Sequence, residues 1–208
     1  MSNAVHDVLR GVAEILEVPV VVILILFLAF AVFSIGWLIV EFFTERRLMR
    51  ASVPQLMDEL RDAEREDISD IIRGSGLLTR QKNILRELLW HPDFTPGMRE
   101  GLAANLLEGE QSHYDRAVRR TELASKLSPM FGLLGTLIPL GPGIIALGQG
   151  DTVTLSASLL TAFDTTVAGL IAAAVFLVIT TIRKRWYNLY MNDLEALTEC
   201  VLELEREQ

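Results

Sequence analysis

Charged residues almost vanish from three stretches of the chain. Residues 18–43 carry one charge, Glu41, near their end; residues 127–148 carry none; residues 155–182 carry one, Asp164. Each run exceeds the roughly 20 residues that a helix needs to cross a hydrocarbon core about 30 Å thick. The pattern predicts three transmembrane helices. Between the first two, the rhythm changes. Residues 54–73 place Leu56, Leu60, Ala63, Asp67 and Ile71 at helical steps among many charges, which predicts one amphipathic helix ended by Gly74-Ser75-Gly76. Residues 77–90 predict a second helix, stopped by His91-Pro92. Thr95-Pro96 supplies the N-cap and first-position proline of a third, which runs through Arg120 directly into the second span. Beyond Arg185, Leu189, Leu194, Leu197, Val201 and Leu204 continue the third span as a long helix. The expected fold is an all-α membrane protein, three transmembrane helices with long cytoplasmic helical extensions that bundle under the membrane.

Charge sets the orientation. Arg46, Arg47 and Arg50 follow the first span, Arg119, Arg120 and Lys126 precede the second, and Arg183, Lys184 and Arg185 follow the third. The turn between spans two and three holds Asp151 and no base, and the amino-terminal tail sets Arg10 against Asp7, Glu14 and Glu17. Basic residues stay on the cytoplasmic side. The expected order is an outer segment 1–17, span 18–43, cytoplasmic region 44–126, span 127–148, outer turn 149–154, span 155–182 and cytoplasmic helix 183–208. The first run has acids rather than bases before it and no small-x-small cleavage pattern after it, so it is expected to remain as an anchor.

The 208 residues are half hydrophobic and carry a net charge of −8. Region 44–126 has 14 basic against 15 acidic residues, so it offers no basic patch for nucleic acid. Cys200 is the only cysteine, which leaves neither a disulfide framework nor a thiolate zinc site. His6, His91 and His113 show no metal-ligand spacing, Gly74-Ser75-Gly76 lacks the rest of a phosphate loop, and no G-x-S-x-G occurs. No enzyme, cofactor or metal site is expected.

The second span is unusual: residues 127–143 hold four glycines and three prolines without a charge. On a helix, Pro129, Gly132, Thr136, Pro139 and Gly143 fall within roughly 80° of one another. Such a small, kinkable face meets protein or a water-lined path, since neighbours, hydroxyls or waters must satisfy the carbonyls that proline frees. Tight helix packing, with Thr136 bonded to its own backbone, explains the same face without any pathway. In the third span, Thr154, Ser158, Thr161, Asp164, Thr165, Ala168 and Ala172 lie within about 60° either side of one line. An acid at mid-membrane costs at least ~2.5 kcal/mol and usually serves a function. Its alternative role is to cement an interface.

Ser128-Pro129-Met130-Phe131-Gly132-Leu133-Leu134-Gly135-Thr136 resembles the P-x-x-G-L-x-G-T signature of the MotA/TolQ/ExbB proton channel family, and residues 159–170, LLTAFDTTVAGL, resemble that family's third-span pattern A-L-x-x-T-x-x-G-L. The resemblance implies a homo-oligomeric ring, a pentamer in the better known cases, in the cytoplasmic (inner) cell membrane. It implies a single-span partner similar to ExbD, TolR or MotB, with a membrane aspartate, inside the ring. Proton flow through that complex powers work across the envelope. Thr136 and Thr166 match the family's pore threonines; Thr161, Asp164 and Thr165 complete the expected ion pathway. Gly135 and Gly169 of the two motifs join Pro129, Gly132, Pro139 and Gly143 as expected packing or pore-lining positions. The chain departs from the pattern after Gly-Thr, where Leu137-Ile138-Pro139-Leu140-Gly141-Pro142 replaces V-x-G-I. Where the TolQ/ExbB branch has a glutamate, this chain has Thr161, with its acid three residues later. Thr166 also sits about 140° from Thr161 on the wheel. Hydroxyls and a carboxylate suit sodium as well as protons. A structural scaffold without ion flux and a small-solute transporter subunit are the rival functions.

Overall fold

The computed structural model describes residues 2–48, 53–63, 65–91 and 94–207. Arg50, a base flanking the first span, and Pro92, the expected stop of the second cytoplasmic helix, lie outside the described residues. The described residues form α1 (Ser2–Leu48), α2 (Val53–Arg61), α3 (Arg65–Gly74), α4 (Thr79–Leu89), α5 (Pro96–Gly148) and α6 (Thr152–Glu207), with no strand among them. Among the described residues, three stretches are long and apolar enough to cross a membrane: Ile15–Phe43, Pro96–Gly148 and Thr152–Leu204.

Local chemistry fixes the ends of the long helices. Pro96 opens α5 at a position where its missing N–H costs nothing, while the Thr95 carbonyl accepts the N–H groups of Met98 and Arg99. Pro129, Pro139 and Pro142 sit inside α5, which continues through all three. Between α5 and α6 the chain reverses at Gly150, whose φ of 77° favours a residue without Cβ. Asp151 then caps α6, its Oδ1 accepting the N–H groups of Val153 and Thr154 and its Oδ2 the Thr154 hydroxyl. These hydrogen bonds hold the Asp151 carboxyl below its ordinary value, the Thr154 hydroxyl contributing most.

The chain divides into two compact units, one made of Met1–Trp37 and Arg119–Thr181, the other of Leu38–Val118 and Ile182–Gln208. In the first unit, α1, α5 and α6 meet around Ala31, Ala124, Ala172 and Phe176. Phe27 lies edge-on to Phe176 and also packs on Phe131, with ring centroids 6.4 and 5.8 Å apart. Large apolar side chains elsewhere on these helices, among them Val18, Val32, Leu137 and Leu160, are exposed, as suits surfaces solvated by lipid or by other subunits.

The second unit has an ordinary soluble core. Leu60, Ile72, Leu85, Leu194 and Leu197 are fully buried there, and Tyr114 stacks on Tyr187 at 4.5 Å. Buried Gln81 bridges elements by accepting the Leu78 N–H and donating to the Tyr190 carbonyl. Residues 54–73, expected as one helix, form two. The core residues are Leu56 and Leu60, then Ile68 and Ile72, whereas Asp67 is exposed and Ile71 half-buried. On one straight helix Ile68 would point roughly 80° away from Leu60. The break after Arg61 re-aims α3 so that Ile68 and Ile72 return to the core.

Candidate functional site

The two motifs pack on one another in the antiparallel hairpin of α5 and α6. A Cβ added at Gly135 would meet the Thr165 Cβ at 2.6 Å, one at Gly169 the Gly132 Cα and Ser128 carbonyl at 2.8 Å, and one at Gly143 the Ser158 Cβ at 3.1 Å. Gly132, Gly135, Pro139 and Gly143 are buried along α5, facing buried Ala162, Thr165 and Gly169 on α6. Pro129 is half-buried. Absent side chains let the two backbones approach closely, which is how membrane helices gain packing energy.

This seam sorts the polar residues into three groups. Thr165 lies within it, buried, and its hydroxyl donates to the carbonyls of Thr161 and Ala162. In an antiparallel pair, residues that follow two contacting partners lie on the same flank. Gly135 contacts Thr165, so Thr136 and Thr166 share one flank. Asp164 precedes Thr165 and lies on the other, joined by Thr161 and Ala168. Phe131, four residues before Gly135, is turned to the Asp164 flank as well, and Phe27 of α1 packs on it. Thr136, Thr161 and Thr166 are partly exposed; Asp164 is exposed. The single polar stripe read from the α6 wheel is therefore divided by the seam. Ser158, Thr165 and Ala172 turn toward it, and Asp164 turns away.

The hydroxyls of Thr136, Thr161 and Thr166 each bond back to their own helix. Thr136 donates to the Leu133 carbonyl at 2.7 Å, Thr161 to that of Ala157 at 3.1 Å and Thr166 to that of Ala162 at 3.0 Å. With the hydroxyl hydrogen committed, the oxygen lone pairs remain as acceptors. Pro139 and Pro142 have no N–H, so the carbonyls of Gly135 and Ile138 lose their usual helical donors. The site is therefore rich in acceptors, suited to a hydronium, a water chain, a protonated carboxyl or a small cation. Among the described residues, no three His, Cys, Asp or Glu side chains cluster as metal ligands.

A second polar cluster joins α1 to α6. Glu41 Oε2 accepts from Arg183 Nη2 at 3.0 Å and Nε at 3.2 Å, and Glu41 Oε1 accepts the Tyr187 hydroxyl at 2.7 Å. Sequence reading marked Glu41 only as a charge in an apolar run and Arg183 only as a flanking base. The signal that could have joined them is the rule that an acid beside hydrocarbon needs a partner.

Residues 94–196 match the sequence profile of the MotA/TolQ/ExbB proton channel family, a segment that contains both motifs, all of α5 and α6 as far as residue 196. No curated protein matches the chain.

Proposed function

Through residues 94–196 the chain belongs to the MotA/TolQ/ExbB proton channel family, and from that premise we propose that this multi-pass membrane protein is the ring subunit of an ion-driven motor. Its membrane is the inner cell membrane, with the amino terminus outside and the carboxy terminus in the cytoplasm. Several copies, five on the family's pattern, surround a single-span partner that carries a membrane aspartate. The protein contributes no enzyme chemistry and no cofactor; its work is to pass ions and convert their gradient, about 2.3 kcal/mol per charge per 100 mV, into motion of the partner.

The observation that carries this reading is the shared flank of Thr136 and Thr166. They are the two residues that match the family's pore threonines, and they stand together on the side of the hairpin opposite the Phe27–Phe131 contact. That flank faces the ring centre. Its acceptor oxygens receive the proton-bearing form of the partner's carboxyl, directly or through water, and so stabilise it between proton loading and release. Thr161 and Asp164 line the opposite flank, where a neighbouring copy completes the path and Asp164 relays the ion. Thr165 holds the two helices in register between the flanks.

The test is proton flux into liposomes containing the complex of this chain with its single-span partner. Asp164→Asn removes the titrating group and is expected to cut flux by about a hundredfold, the range of a positioned proton-transfer group. Thr136→Val and Thr166→Val keep side-chain size, remove the acceptor, and are expected to lower flux with the ring intact. Unchanged flux in Thr136→Val and Asp164→Asn would overturn the pathway.

A further inference from the structure

An open groove of about 720 Å³ runs between the end of the apolar part of α1 and the stretch of α6 that follows the third span. Its walls are apolar and aromatic, with Phe42, Phe43, Trp186 and Leu189 prominent. Phe43 and Leu189 are 68% and 51% exposed, so these walls lack a protein cover within the chain. Aromatic rings at this height are the usual neighbours of lipid headgroups. The volume lies in the range of ligand sites.

Two charged side chains also line the groove, Arg185 and Asp193. Among the described residues neither forms an ion pair or a side-chain hydrogen bond, with each other or with anything else. Arg183, two residues earlier, is consumed by Glu41. Burial pushes the Asp193 carboxyl up from its ordinary value, with no cation to offset the cost. The order along α6 is informative. Apolar Ile182 comes first, at the end of the membrane run, then the cation Arg185, then the anion Asp193, about 12 Å farther along the axis. A glycerophospholipid with a terminal ammonium has the same order: acyl chain, phosphate, amine. A purely anionic headgroup would satisfy Arg185 and leave Asp193 facing negative charge. A quaternary amine would present no N–H to the carboxylate.

We propose that this groove is a specific site for an aminophospholipid of the phosphatidylethanolamine type, with an acyl chain along Leu38, Ile39 and Ile182, the phosphate on Arg185 and the primary ammonium on Asp193. The site stands apart from the ion pathway and does not depend on proton conduction. The bound lipid ties the end of α1 to α6 from the bilayer side.

The experiment uses the full chain, stripped of lipid in mild detergent and returned to equal parts of phosphatidylethanolamine, phosphatidylglycerol and phosphatidylcholine. Lipid retained per chain is read by native mass spectrometry. The wild type is expected to retain phosphatidylethanolamine in preference to both others. Arg185→Gln is expected to weaken retention of all three by about tenfold, the worth of one charge-assisted hydrogen bond. Asp193→Asn is expected to abolish the preference for phosphatidylethanolamine over phosphatidylcholine while leaving retention itself in place. Thermal melting of both variants at the wild-type midpoint separates lost lipid from lost fold. Equal retention of the three lipids by the wild type, a preference for phosphatidylglycerol, or unaltered retention in Arg185→Gln would overturn the proposal.

Discussion

Glu41 stands as the only charge in 26 residues of the first apolar run, and its surroundings explain how it is tolerated. The side chains of Glu41 and Arg183 are 8% and 9% exposed, and both carboxylate oxygens are satisfied, one by the guanidinium and one by the Tyr187 hydroxyl. The attraction between such charges is largely offset by the cost of removing them from water, so the pair as a whole adds little stability. Removing one member is different, because the other charge is left buried without a partner. Glu41→Gln is therefore expected to destabilise the protein by about 3 kcal/mol, and Glu41→Leu combined with Arg183→Met to recover most of that loss. A double-mutant cycle from denaturant unfolding in detergent checks this. A double variant destabilised by the sum of the losses in Glu41→Leu and Arg183→Met alone would show that the charges do not interact. Both residues were visible in the sequence as charges beside apolar runs. Their pairing was not, because 142 residues separate them and only the approach of α1 to α6 brings them together.

The α5/α6 hairpin is where the periodicity of the sequence says most. Gly132, Pro139 and Gly143 form one small face by simple helical steps, and that face is the buried one. The wheel also carried Thr165 rather than Thr166 on the Asp164 line, and Thr165 is the residue locked into the seam. The separation of Thr136 and Thr166 from Asp164 onto opposite flanks was not legible, since a flank exists only once the partner helix is placed. The same limit applies to residues 54–73. Helical steps through Ala63 and Asp67 gave a continuous stripe, but burial of Ile68 and Ile72 outweighs continuity and breaks the helix. At the seam, the Gly135 and Thr165 contact supports a pointed expectation. Gly135→Ala places a Cβ 2.6 Å from the Thr165 Cβ, and overpacking of this kind costs about 1–3 kcal/mol. Because the clash is with Cβ itself, Thr165→Ala cannot relieve it, whereas Thr165→Gly can, less about 1 kcal/mol for glycine in a helix. Melting temperatures of the two double variants distinguish these outcomes; equal rescue by both would show that the helices move apart instead.

At the scale of the whole molecule, the exposure of Asp164 is the fact that asks for more than one chain. A single copy in a bilayer would turn this carboxyl, together with half-exposed Thr136 and Thr166, toward hydrocarbon. The penalty for the acid alone is at least ~2.5 kcal/mol at the membrane centre. Hydroxyls can bond back to their own helix, as those of Thr136, Thr161 and Thr166 do, but an ionised aspartate has no hydrogen to give. The proposed assembly would remove the penalty by setting Asp164 against a neighbour and closing a polar space around the threonine flank. A homo-oligomeric ring does this for every copy at once, and only if the rotation between neighbours closes. Native mass spectrometry of the chain expressed with its neighbouring genes, released from mild detergent or lipid, is expected to show about five copies together with fewer copies of a single-span protein bearing a membrane aspartate. Such a mass would give the acceptor-lined flank its central pore and its proton-carrying partner. A monomer or dimer without a partner would leave no space for that pore, and the glycine, proline and threonine face of α5 would then serve helix packing alone.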